Sequence, residues 1–263
     1  MVQALGVRPA PTTTLQEMTL AAHFRAPLPL GVLDLASWVS VFSDYPIIQE
    51  LPALPTVSWP VPGWPQIPAI EIGISAQLPR LVLRSSDGRF SVQLQGDRFA
   101  FGWARVEPIG VAADYPGFEA MLGRWGEVQS RLEAWVQGRF HAKPQYRLAE
   151  VNYINASPLE LDGQKRRISD VFKFVQAAGR PINMFNVQWL ERVYDDEPPG
   201  APLKGVVNAA VGLGQAPPAI PVLAFNFTGT AAVADNQESK HIMNDLHGKI
   251  REMYESAMIL DAR

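Results

Sequence analysis

RLVLRSSDGRFSVQLQGDRFAFGWAR, residues Arg80–Arg105, decides how this chain folds. Leu81 and Leu83, then Phe90, Val92 and Leu94, then Phe99, Phe101 and Trp103 recur at every second position, with Ser86-Asp87-Gly88 and Gly96-Asp97 between the runs. Alternation at period two marks strands with one face buried, and Asp-Gly or Gly-Asp between two such runs is hairpin chemistry. The stretch therefore spells three antiparallel strands joined by tight turns.

Upstream, Gln16–Arg25 alternates with Met18, Leu20, Ala22 and Phe24 on one side, a further strand. Leu33–Gln49 changes to helical spacing, with Leu35, Trp38, Val39 and Phe42 on one stripe and Tyr45-Pro46 closing the element. Pro46–Pro68 holds seven prolines together with Trp59 and Trp64, which suits extended chain and excludes a central strand or helix. This strap reads either as a connector pinned to the body by its tryptophans or as a partner-docking strap or pocket lid. Ile70, Ile72, Ile74, Ala76 and Leu78 then alternate through a strand that leads into the meander.

Downstream, Asp114 is placed to cap a helix with Pro116 in its first turn, and Phe118, Met121, Leu122, Trp125, Val128, Leu132, Trp135, Val136 and Phe140 form its apolar stripe. The second half repeats the order. Tyr146–Ala156 reads as a strand, Ser169–Ala178 as a short helix, and Ile182–Tyr194, Gly205–Leu213 and Pro221–Val233 as three strands. A last helix opens on the capping-box pattern Asp235-Asn-Gln-Glu238 and buries Ile242, Leu246, Ile250, Met253, Tyr254 and Ala257. The expected fold is α+β: a duplicated strand, helix, antiparallel meander and long helix unit, with the helices packed on one face of an antiparallel sheet. The first repeat covers 16–143, including the strap at 46–68, and the second covers 144–263. The two are expected to pack as one body behind a flexible arm at 1–15.

Composition narrows the function classes. The chain has 263 residues, 47% of them hydrophobic, enough for a sizeable core. Its net charge is −3, so no global basic field recruits nucleic acid or an anionic membrane. Cysteine is absent, which removes disulfides, thiolate nucleophiles and thiolate metal sites. The first residues read as neither signal peptide nor membrane span, and the cytoplasm is the expected compartment. No phosphate loop, G-x-S-x-G elbow or H-E-x-x-H motif occurs. His241 and Asp245 stand at i, i+4 without a third ligand, Lys165-Arg166-Arg167 is a lone basic triplet, and Asp195-Asp196-Glu197 is an acidic loop without an opposing carboxylate. No catalytic residue, metal site or cofactor is assigned.

The segments FRAPLPL (24–30), DYPIIQE (44–50), DGRFSVQLQGDRFAFGW (87–103), YPGFEAMLGRW (115–125), EVNYIN (150–155) and HIMNDLHGKIREMYESA (241–257) follow one another in a recognisable order. In this the chain resembles a sporadically distributed, functionally uncharacterised family of bacterial proteins of similar length. Its members share a QLQ-DR-FxW meander, a Tyr-Pro helix, a YIN strand and a terminal His-bearing helix. Phe101-Gly102-Trp103 departs from the family's Asn before Trp, and the strap at 52–68 is an individual elaboration. The resemblance implies a soluble bacterial protein of an accessory system, such as defence or toxin–antitoxin.

The strand faces suggest where binding occurs. Val151, Tyr153, Phe185, Val187, Trp189, Val207, Ala209, Val211, Leu223, Phe225 and Phe227 make one face apolar. The opposite face carries Asn152, Asn186, Gln188, Asn208, Asn226 and Thr228, continued by Ser91, Gln93 and Gln95 in the first half. Asparagine is depleted in strands, and amides both donate and accept, so this is a candidate recognition surface, with Trp59 and Trp64 of the strap as a second. The leading expectation is a non-enzymatic protein that binds a macromolecular partner, most of all a protein, with room for a homodimer. Two alternatives stay open: a small-molecule binder or sensor with an apolar cleft between the repeats, lined by Trp59, Trp64, Trp125 and Trp135, and nucleic-acid binding by the open sheet face. The second is disfavoured because that face lacks rows of Lys and Arg.

Overall fold

A computed structural model describes residues 15–57, 78–108, 113–161, 164–165, 186–194, 204–216 and 220–257. Its centre is the antiparallel pair β1 (Leu15–Phe24) and β6 (Tyr146–Pro158), registered through Thr19↔Asn152 and Ala21↔Glu150. On the free edge of β1 stand β5 (Arg98–Ala104), β4 (Phe90–Gln95), β3 (Arg80–Arg84) and β2 (Ile47–Leu51). On the free edge of β6 stand β11 (Ile220–Ala232), β10 (Gly205–Ala216) and β9 (Asn186–Arg192). The result is one nine-stranded sheet, antiparallel throughout, in the order β2-β3-β4-β5-β1-β6-β11-β10-β9. A small hairpin of β7 (Glu160–Leu161) and β8 (Gln164–Lys165) stands apart.

The meander forms as the period-two pattern requires, with Phe90↔Trp103, Val92↔Phe101 and Leu94↔Phe99 in register. Gly88 takes the left-handed backbone (φ 75°) that the first turn demands. Three helices, α1 (Val32–Val41), α2 (Phe118–Phe140) and α3 (Ser239–Ala257), cover the apolar face. Phe99 packs at once against Phe42, just past α1, and Trp125 of α2, while Tyr254 of α3 meets Phe225 and Phe227 of β11. Asp34 takes the Gly31 N–H at 2.7 Å and pairs with Arg139, and Trp135 donates to Ser37 at 2.9 Å, so α1 and α2 are fixed to each other by polar bonds at the rim of the core. No described helix is long and apolar enough to cross a membrane.

Three expectations are corrected. The first helix stops at Val41, well short of Gln49, and Ile47–Leu51 instead forms an edge strand against β3. Pro46 cannot continue a helix, but an edge strand tolerates a proline at its start. The long helix begins at Phe118, not at Asp114, because its cap is Gly117 at φ 89°, a conformation closed to the Tyr-Pro pair before it. Trp125 and Trp135 lie in the core rather than along a cleft. The strand at 70–78 and the helix at 169–178 lie outside the described residues, apart from Leu78, as do the arm at 1–14, Trp59, Trp64, Phe185 and the acidic loop at 195–197.

Helix α3 approaches the sheet closely at Gly229 of β11. A Cβ there would stand 3.1 Å from Leu246 Cδ2 and 3.2 Å from Ile250 Cδ1. Gly229→Val should therefore lift α3 and lower unfolding stability by about 1–3 kcal/mol, read from urea denaturation, in spite of valine's higher strand propensity.

Candidate functional site

The registers sort the predicted recognition residues of the strands onto the face away from the helices, while Trp59 and Trp64 lie outside the described residues. One row runs Ser91, Gly102, Thr19, Asn152, Thr228, Asn208 across β4, β5, β1, β6, β11 and β10. The next runs Gln93, Ala100, Ala21, Glu150, Thr230. Asn226 and Gln188 share Ala210 as a cross-strand neighbour, and Asn186 pairs with Gly212, on the same face by backbone register. Its side chain lies outside the described residues.

This face has two zones. Over β10, β11 and β6 the residues are half-buried, with Gln188 exposed. Gln188 donates to Asn208 Oδ1 at 3.0 Å, and the Thr228 hydroxyl lies 3.0 Å from Asn152 Oδ1 and 3.4 Å from Asn226 Oδ1. A carboxamide offers two acceptor and two donor positions, and these bonds occupy only oxygen sites on the asparagines. Among the described residues the three asparagine NH2 groups remain as donors for an incoming acceptor.

Over β4 and β5 the face is covered, contrary to its expected outward exposure: Ser91 and Gln95 are buried. Over Gln95 the cover is the start of the strap. Gln95 accepts the Leu54 N–H at 2.8 Å and returns its own N–H to the Leu54 carbonyl at 2.8 Å. Arg98, packed beside Asp97, donates to the Pro55 carbonyl, and Arg147 donates to the Val57 carbonyl at 2.8 Å. Three side chains thus hold the backbone of a proline-bearing segment, and these bonds go to its backbone atoms alone. Arg98 and Arg147 were missed in the sequence. The clue for Arg98 was its place two residues before Ala100, in phase with the polar face.

Where the cover ends, a cup of about 110 Å³ opens over the small side chains of Ala21 and Ala100, walled by Glu17, Thr19, Arg80, Gln93, Glu150 and Asn152. Arg80 donates to Gln93 Oε1 at 3.0 Å, while its buried Nε has no partner among the described residues. Burial lowers the Arg80 pKa and nearby Glu17 opposes that shift, leaving a charged guanidinium at the cup. Glu150 is bound to the fully buried His23 at 3.0 Å. Gly102 belongs to this small-residue floor: a Cβ there would come within 3.3 Å of both the Thr19 and Ser91 hydroxyls.

Among the described residues no three His, Asp or Glu side chains converge, and His241 stands 3.8 Å from Asp245 on an exposed helix face. His247 turns instead into the core, where it stacks on Phe118 at 3.9 Å and its Nδ1 lies 2.8 Å from the Tyr153 hydroxyl. Burial, reinforced by Arg251, holds this imidazole below its ordinary pKa of 6.5. The Tyr115 phenol next to Tyr153 is pushed up to about 12, mainly by burial.

No protein-family model matches the chain, and no curated protein sequence matches it.

Two outcomes follow from this geometry. Gln95→Ala should cost about 1–3 kcal/mol and abolish protection of the Leu54 amide from hydrogen exchange; an amide that stays protected would mean that Gln95 does not order the segment. For His247, the unfolded chain takes up a proton near pH 6.5 before the folded chain does, so stability is complete above that pH and falls as pH drops toward the folded pKa. His247→Gln should flatten the decline in Tm between pH 7 and pH 5.

Proposed function

We propose that this is a non-enzymatic recognition protein whose amide-rich sheet face binds an extended segment of a protein partner. The observation that supports it most is the hold of Gln95, Arg98 and Arg147 on the backbone of residues 54–57. The same face continues uncovered over Asn152, Asn226, Thr228, Asn208 and Gln188, with amide donors available to carbonyl groups. Side chains that read backbone need little from a partner's sequence, which is the chemistry of strand-like peptide capture. Trp59 and Trp64, further along the strap, belong to this proposal as a second docking element.

Within this proposal, the resemblance to the sporadic bacterial family supports a partner in an accessory system such as defence or toxin–antitoxin, and the proposed compartment is the cytoplasm. We read the matching strand orders β1, β5, β4, β3 and β6, β11, β10, β9 on the two sides of the seam as the trace of an internal duplication. Nucleic acid fits this face less well: Arg98 and Arg147 are engaged with the strap, Arg80 lies at the cup, and Asn152, Asn226, Thr228 and Asn208 beyond them bring no cation, whereas phosphate binding requires rows of cations.

The test is a random-decapeptide display panned against the whole protein. Enriched peptides should lose at least tenfold in affinity to the triple variant Gln188→Ala, Asn208→Ser, Asn226→Ser, while its Tm stays within about 2 °C of the parent, since these are surface substitutions. Absence of any enriched peptide, or affinity unchanged in the triple variant, refutes the reading.

A further inference from the structure

On the other face of the sheet, beneath α3, lies a cavity of about 180 Å³ bounded by Leu15, Tyr153, Phe227, His247, Ile250 and Tyr254. It belongs to neither the amide face nor the strap. The pocket is open at its mouth rather than enclosed, and its volume exceeds the roughly 150 Å³ of apolar space that is enough to hold benzene.

The walls specify the occupant. Phe227 and Tyr254 meet edge to face at 5.9 Å between centroids, and the His247 ring stands 5.8 Å from Tyr153. A ring placed among them finds the edge and offset contacts that aromatic groups prefer. The lining has one polar end. A phenol is the better donor and an imidazole the better acceptor, so the 2.8 Å contact directs the Tyr153 hydroxyl to His247 Nδ1 and leaves the imidazole proton on Nε2. Asn155 adds a second polar group. It is buried on the apolar face, with Phe225 opposite it in register, where the strand pattern calls for a hydrophobic residue. The charge at the rim, Arg251, is turned to Glu255 at 2.8 Å and is therefore compensated. Nothing in the cavity calls for an anion or a cation.

The geometry points to this cavity as a binding site for a small uncharged aromatic molecule carrying one hydrogen-bonding group, of the size of phenol or indole. Its ring fills the space between Phe227, Ile250 and Tyr254, and its polar group lies at the Tyr153–His247–Asn155 end. The test separates this ligand from two other occupants, residues 1–14 and a second copy of the protein.

Calorimetric titration of the full-length protein with phenol, indole and benzene tests this. Saturable binding of phenol or indole is expected, weakened at least tenfold by Ile250→Trp, which fills the cavity. Leu15→Phe narrows the same space from the rim and gives the second reading should Ile250→Trp fail to fold. Tyr153→Phe should weaken phenol and leave benzene unchanged, a split that a purely structural role for Tyr153 does not produce. No binding by any of the three molecules, or binding indifferent to both cavity-filling variants, overturns the proposal. So do nuclear Overhauser contacts from the Tyr254 ring to residues 1–14, or a dimer in sedimentation that Ile250→Trp dissociates, because either assigns the space to the protein's own chain.

Discussion

The pairing of β1 with β6 is the constraint on which the molecule depends. These two strands come from opposite halves of the chain, and their ladder is what makes one sheet of two strand groups. Because side chains in a strand alternate, the register Thr19↔Asn152 and Ala21↔Glu150 fixes both faces together. A slip by one residue would set Met18 and Leu20 on the same face as Asn152 and Glu150, so the apolar sides of the two strand groups would lie on opposite faces and the helices could not pack on one surface. The buried His23 bonded to Glu150, a side-chain contact across this seam, is further penalised by such a slip.

The two faces then follow different physics. Under the helices, aromatic and aliphatic side chains interlock, as where Phe99 touches both Phe42 and Trp125. On the other side, the segment at 52–57 lies against the sheet without joining it. Pro52 and Pro55 have no N–H to give, so a regular ladder with a neighbouring strand is impossible for them. Gln95, Arg98 and Arg147 supply from their side chains the partners that a neighbouring strand's backbone cannot. The arrangement gives the Leu54, Pro55 and Val57 carbonyls donors that a ladder strand would otherwise provide.

Much of this was legible in the residues because it is local. The meander, the last helix and the assignment of Asn152, Asn208, Asn226, Thr228 and Gln188 to one face all follow from periodicity over a few positions. What was not legible required knowledge of distant chain. The cover over Gln95 comes from a residue 41 positions earlier. The start of α2 turned on the backbone conformation of Gly117, which spacing does not show. His247 carried a signal that went unused: it lies four residues after Met243 and three before Ile250, both buried, and so belongs to the inward stripe of its helix.

The sequence separation across the seam also orders events during synthesis. His23 and Glu150 are 127 residues apart, so β1 leaves the ribosome long before β6 exists. At roughly 5–20 residues per second the interval is of the order of ten seconds. The strands β2 to β5 and the helices α1 and α2 are complete before then, so a five-stranded intermediate can assemble with β1 as its outer edge. That edge is neither capped by charge nor interrupted by proline, since Leu15–Phe24 has only Glu17 among its ionised groups besides a histidine. The nascent chain is therefore most open to pairing with another copy of itself in this window, and closure by β6 is the step that ends its vulnerability to misassembly.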